Sequence, residues 1–149
     1  MIVPIILGSE KDRPHAEKIT QHLDEFEVPH KIIIASAHKV PEKVLATLKE
    51  HDELEDVCYI TAAGRSNALS GFCAANSIHP VIGCPPFSDK ADMLVNIHST
   101  LQMPSNTPVL TVLDPQNAAM AAIRILGATN PDLKSKIKSH LHTLKQSFN

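Results

Sequence analysis

The feature that most constrains this chain is an alternation of short, wholly apolar runs with stretches whose apolar residues recur at helical spacing. Ile2 to Leu7 is such a run, and Ala16, Ile19, Leu23 and Phe26 follow on one helical face. "HKIIIA" (30–35) is a second run, followed by Val44, Leu45 and Leu48 in a helix opened near Pro41. "VCYITAA" (57–63) runs up to Gly64, with a helix carrying Ala68, Leu69, Phe72 and Ala75 after it. "HPVIGC" (79–84) and "PVLTVL" (108–113) complete the set, with "DMLVNIHSTL" (92–101) as a helix between them. Strands apolar throughout have no face to spare for water, so the pattern predicts a parallel sheet covered by helices on both sides. Right-handed crossovers then give an α/β fold, a three-layer doubly wound parallel sheet. No repeat, low-complexity segment or linker divides the chain, and residues 1–149 are read as one domain.

Two later segments add to this. From Ala118 to Leu126 nearly every residue is apolar, Arg124 excepted. A helix apolar on all sides must be covered on all sides, by its own core or by another subunit; a homo-oligomer is expected. The C-terminal helix, Leu133 to Leu144, has Leu133, Ile137, Leu141 and Leu144 on one stripe and packs on its own domain or over a neighbour.

Composition excludes several classes of function. A formal net charge of -2 gives no electrostatic case for nucleic acid, and one Tyr, four Phe and no Trp offer few stacking platforms for bases. No apolar run approaches the ~20 residues of a membrane span, and the start "MIVPIILGSEKD" lacks the basic region of a signal peptide. Cys58, Cys73 and Cys84 are odd in number and form no CxxC pair, which suits buried thiols in a reducing, cytoplasmic setting.

Ligands of open parallel sheets bind beyond the carboxyl ends of the strands, and the polar clusters of this chain fall there. Gly8, Ser9 and Asp12 follow the first strand, Ser36, His38 and Lys39 the second, Gly64, Arg65, Ser66 and Asn67 the third, and Cys84-Pro85-Pro86 the fourth. "GSEKD" has too few glycines for a P-loop or a dinucleotide fingerprint. Ser9 still offers a hydroxyl to a phosphate at a helix start, while Asp12 either faces a ligand or caps the helix entered through Pro14. Lys39 is either a solvated lysine or a point charge for an anion. Arg65 would conflict with a helix dipole beginning near Ser66 unless an anion lay beside it.

Of nine histidines, His15, His22, His51, His140 and His142 fall in polar helical stretches and are expected at the surface. His30 and His79 begin strands, at the opposite edge, and His98 has no clear place. His38 alone sits at a strand's carboxyl end between Ser36 and Lys39, where an imidazole can take and return a proton near neutrality. No Ser-His-Asp order and no HExxH spacing is legible, so neither a nucleophilic triad nor a metal site is indicated.

Gly8-Ser9 with Asp12, "SAHK" (36–39), "AGRSNALSG" (63–71) and Cys84-Pro85-Pro86 together resemble phosphoribosylaminoimidazole carboxylase of the class II type. The likeness extends to "LQMPS" (101–105) and to the alanine-rich helix after Pro115, and so covers essentially the whole chain. It implies a flavodoxin-like fold, a homo-oligomer (tetramer or octamer), and addition of CO2 to C4 of aminoimidazole ribonucleotide (AIR) without ATP, biotin or metal, hence no cofactor. Related class I enzymes are mutases carrying "SAHR" and a loop with "AHLPG"; with Lys39 and "NALSG" at those positions this chain resembles class II on both counts. By the same resemblance Ser9, Ser36 and Lys39 hold the 5′-phosphate and Asp12 the ribose hydroxyls. His38 handles the C4 proton, and Gly64-Arg65-Ser66 receives CO2 or the new carboxylate. Family members often carry a small hydroxyl residue where this chain has Lys11, whose charge is suited to the same anion. Two other readings are the mutase reaction and a non-catalytic flavodoxin-like module that binds a nucleotide or flavin.

Overall fold

The computed structural model describes residues 1–148. Strand β1 (Val3–Leu7) is buried along its whole length, because it is paired in parallel with β2 (His30–Ile34) on one side and β3 (Tyr59–Ala62) on the other. β4 (Val81–Gly83) joins β3 and β5 (Leu110–Thr111) joins β4, giving the parallel order β2-β1-β3-β4-β5. The chain runs from β1 to one edge, returns, and builds the other side from β3 onward. That reversal leaves a crevice beyond the carboxyl ends of β1 and β3.

Side-chain alternation along β1 divides the core in two. Val3, Ile5 and Leu7 face α1 (Arg13–Glu25) and α6 (Pro115–Leu126). Ile6 faces the other way, toward Val44 and Leu48 of α2 (Pro41–His51) and Leu69 and Cys73 of α3 (Leu69–Ala75). Each such fully buried aliphatic side chain is worth about 1.5–3 kcal/mol over its exposed state. α1 stops in a left-handed turn usually given to glycine: Glu27 has φ 56°. Its N–H donates to the Asp24 carbonyl (2.9 Å) and the Val28 N–H to that of Leu23 (3.0 Å). The Glu27 carboxylate also pairs with Lys136 of α7 (Pro131–Gln146).

Several sequence expectations change in detail. β2 is an edge strand and none of its residues is fully buried, so its apolar run reflects a half-covered surface. The stretch 92–101 is not one helix but two, α4 (Lys90–Asn96) and α5 (His98–Leu101). The fifth strand shrinks to Leu110–Thr111. In α6, Ala118, Ala119, Ala122, Ile123 and Leu126 are buried in the core shared with α1 and with Leu133 of α7, so the chain itself covers much of that apolar helix. Along α7 the stripe is buried only at Leu133, and Leu144 is 47% exposed.

Two histidines expected at the surface are buried. His22 lies against Phe26, their ring centroids 5.4 Å apart. His51 caps its own helix through Nδ1, which bonds the Thr47 carbonyl (2.8 Å), and its ring meets Tyr59 edge-on. Cys58, Cys73 and Cys84 are free and buried; burial pushes each thiol up to about 12, which makes them poor nucleophiles. Among the described residues no helix is long and apolar enough to cross a membrane.

Candidate active site

The turn after β1 is shaped by its own serine. Ser9 caps a short 3-10 turn, Glu10–Asp12, its Oγ accepting from the Lys11 N–H (3.2 Å) and its carbonyl from the Asp12 N–H (3.1 Å). The Ser9 hydroxyl keeps its own hydrogen available for an anion. Asp12 makes no side-chain capping bond to α1, so of its two sequence readings the cap is not realised. Burial pushes its carboxyl above the ordinary carboxylate value, opposed in part by the Ser9 amide.

After β2 the Ser36 carbonyl accepts from the N–H groups of Lys39 (3.3 Å) and Val40 (2.9 Å), closing a turn before Pro41 opens α2. The turn leaves His38 and Lys39 exposed and Ser36 half-buried. After β3 the helix begins at Leu69, not near Ser66. Asn67 is the reason: its Oδ1 accepts the Ser70 N–H (3.1 Å), which ends the helix there in the manner of a cap. Arg65 therefore lies ahead of the helix in an exposed loop, and the expected dipole conflict does not arise. Its charge acts instead on Asp92, whose carboxyl is held below the ordinary value chiefly by the Ser88 backbone N–H, with Arg65 adding to the same effect.

All eight residues selected from the sequence, Ser9, Asp12, Ser36, His38, Lys39, Gly64, Arg65 and Ser66, line one cavity of about 610 Å³. A cavity of this size suits a small nucleotide. Lys11 lines it too, adding a third cation to Lys39 and Arg65. Among the described residues no group accepts from the backbone N–H groups of Gly64, Arg65 or Ser66, so these three cavity-lining residues carry unpaired donors. Gly64 is packed tightly enough that a Cβ would stand 2.6 Å from the Pro86 carbonyl oxygen.

Sequence reasoning missed two contributors. Asp92 lines the cavity while accepting from Ser88 N (2.9 Å) and Asn96 Nδ2 (2.7 Å). The signal for it was Ser88-Asp89-x-x-Asp92, a reciprocal cap at the start of α4, in which Asp89 accepts the Asp92 N–H (2.9 Å). His15, expected at the surface, is part-buried; its Nε2 lies 3.1 Å from the Cys84 carbonyl and 3.3 Å from Cys84 Sγ. A carbonyl only accepts, so Nε2 carries the hydrogen. Burial holds this imidazole below its ordinary value, which favours the neutral form. No sequence spacing pointed to that contact, which spans 69 positions.

The sequence model of the AIR carboxylase family matches residues 2–147. The chain is 44% identical over 133 residues to the phosphoribosylaminoimidazole carboxylase of Archaeoglobus fulgidus, covering 89% of this chain and 73% of that one. It is 42% identical to the enzyme of the same name from Treponema denticola, over 99% and 92% of the two chains. It is also 37% identical to the N5-carboxyaminoimidazole ribonucleotide mutase of Pyrococcus horikoshii, over 97% and 83%. The crystal structure of Treponema denticola PurE superposes with a TM-score of 0.91 at 42% identity, covering 99% of this chain and 93% of that one. Matches of this extent, on a flavodoxin-like sheet whose motif residues share one crevice, show that the chain belongs to the AIR carboxylase family, enzymes of purine biosynthesis.

Proposed function

We propose that this enzyme carboxylates aminoimidazole ribonucleotide at C4 with CO2, reversibly and without ATP, to give 4-carboxy-5-aminoimidazole ribonucleotide (CAIR). The observation that carries this reading is the single cavity that holds anion-binding groups (Ser9, Ser36, Lys39), unpaired amides at Gly64 to Ser66, and His38. The aminoimidazole is an enamine whose C4 is already nucleophilic, so no covalent catalyst is needed. Its electron pair forms the bond to the CO2 carbon, leaving a tetrahedral C4 that bears both hydrogen and carboxylate. His38 then takes that proton, the C4–H electrons restore the aromatic ring, and the carboxylate stays. In reverse, His38 protonates C4 and CO2 leaves. The amides of Gly64 to Ser66, with Arg65, stabilise the carboxylate as its charge develops. CO2 has little for a protein to grip, so the gain lies in holding it beside C4.

Relatives named as carboxylase and as mutase both match, and Lys39 with "SNALSG" supports the carboxylase. The deciding assay supplies AIR and CO2 with no ATP and no partner synthetase. CAIR formation is the expected result. No CO2 uptake, together with turnover of the N5-carboxy nucleotide, would select the mutase.

Asp12, in this reading, binds the ribose hydroxyls with a charged carboxylate, and that charge works against the empty fold. Its folded-state value is raised, so the ionised group costs stability above the unfolded carboxylate value of pH ~4, fully so once pH exceeds the folded value, and not at all well below both. Asp12→Asn is therefore expected to raise the melting temperature of ligand-free protein by a few degrees at pH 7 and to leave it unchanged near pH 3. The same variant should weaken nucleotide binding about tenfold, the scale of a lost charged hydrogen bond. Thermal melts across pH and a binding isotherm check both halves.

A cytoplasmic setting fits the three buried free thiols. The homo-oligomer is supported less by α6 than by the exposed Leu94, Val95, Leu101, Leu110 and Leu113 around α4, α5 and β5.

A further inference from the structure

Asn67 sits at the foot of the Gly64–Ser66 loop, is buried, and does not line the cavity. Its amide reaches inward: Nδ2 donates to Ser70 Oγ (2.7 Å) and to Thr100 Oγ1 (2.9 Å), while Oδ1 accepts from the Ser70 N–H (3.1 Å). Its backbone N–H donates to Ser99 Oγ (2.8 Å), which donates onward to the Asn96 carbonyl (2.9 Å). Ser70 Oγ and Thr61 Oγ1 are 2.7 Å apart, and Thr61 Oγ1 donates to the Ile82 carbonyl (3.3 Å). The proton directions follow. With Thr61 donating to Ile82, Ser70 must donate to Thr61, and Ser70 in turn accepts from Asn67. The chain Asn67 to Ser70 to Thr61 to Ile82 is satisfied at every step and buried, the setting in which such bonds reinforce one another.

This network joins four elements, β3, α3, β4 and α5, at the foot of the loop that lines the cavity with its amides unpaired. β4 is bare where it must make room: a Cβ on Gly83 would lie 3.1 Å from Ser70 Oγ, from Thr100 Cγ2 and from Val109 Cγ1. On its other side the loop abuts the Pro86 carbonyl at Gly64. The loop is thus gripped from behind and in front, while its N–H groups stay free.

We propose that Asn67 and Thr100 are positioning residues for the carboxyl group: they fix the aim of the Gly64–Ser66 amides and touch neither the nucleotide nor CO2. The inference rests on the carboxylase reading, in which that loop receives CO2. Their loss should therefore act on the carboxyl step and spare the nucleotide, a split that general loosening of the fold would not produce.

Thr100 gives the clean test, because valine is its near-isostere without the acceptor and serine keeps the acceptor without the methyl. Thr100→Val should lower kcat/KM for CO2 about tenfold, the effect of one buried partner left unpaired. Nucleotide affinity should stay within about twofold, a change too small to represent a lost hydrogen bond. Thr100→Ser should restore most of the CO2 efficiency. Asn67→Ala, which removes three bonds, should cost about 10²-fold in the same parameter, as for a reacting group misplaced by an ångström. Melting curves of each variant show how much of the chain remains folded at the assay temperature. The proposal is overturned if Thr100→Val keeps wild-type CO2 efficiency, if serine fails to rescue it, or if nucleotide affinity falls in parallel. If the wild-type protein turns over only the N5-carboxy nucleotide, the carboxylase reading falls. The same ratios measured on that substrate then decide the positioning claim.

Discussion

Replacing His38 with asparagine is expected to cut turnover by ~10²–10⁴-fold, the scale of general acid–base catalysis, while leaving nucleotide affinity within a few-fold of wild type. Asparagine keeps a planar polar side chain of similar reach but has no group that titrates near neutrality. Ser36 and Lys39, which line the same cavity and are proposed to hold the phosphate, are untouched by the change. The split between affinity and turnover is what separates a proton-transfer group from a ligand contact. Decarboxylation of CAIR in deuterated water offers a second readout. Wild-type enzyme should place deuterium on C4 at the rate of CO2 release, and both should fall together in His38→Asn. A non-catalytic binding module predicts the opposite, with His38→Asn indistinguishable from wild type in function.

Gly64→Ala should cost about 10²-fold in CO2 turnover, since a displacement near an ångström in a reacting pair has that effect. The added methyl would meet the Pro86 carbonyl oxygen at 2.6 Å. That oxygen belongs to the backbone and cannot swing aside like the end of a long side chain. Pro85 and Pro86 stiffen the chain on that side, and Asn67 anchors the loop on the other. The strain therefore falls on the aim of the amides between them. Melting temperature should drop by only a few degrees, because the loop lies outside both cores. Wild-type CO2 turnover in Gly64→Ala would mean that these amides do not hold the carboxyl group.

The order of elements was legible because apolar runs and helical stripes report burial directly. Convergence of Ser9, Ser36, His38 and Gly64 was legible because carboxyl ends of parallel strands share one rim. What stayed hidden depended on partners distant in sequence. Asn67 reads as a loop residue until Thr100, 33 positions later, folds behind it. His15 reads as a solvated helix residue until β4 brings Cys84 to it. Residues 92–101 keep one helical pattern, yet two helices meet at Ile97; Ser99 returns its hydroxyl to the Asn96 carbonyl (2.9 Å), a local bond that a periodicity count does not see. β2 misled in the other direction, since isoleucines suit an edge strand as well as a central one.

The bond from His15 to Cys84 makes α1 a brace across the crevice. The helix leaves the wall that carries Asp12 and, within its first turn, clasps the segment leading to Pro86 on the far wall. Prising those walls apart would mean surrendering a desolvated bond or bending a regular helix. The gauge of the slot is consequently set by the fold itself, so the ribonucleotide proposed as substrate would meet a berth already cut to width.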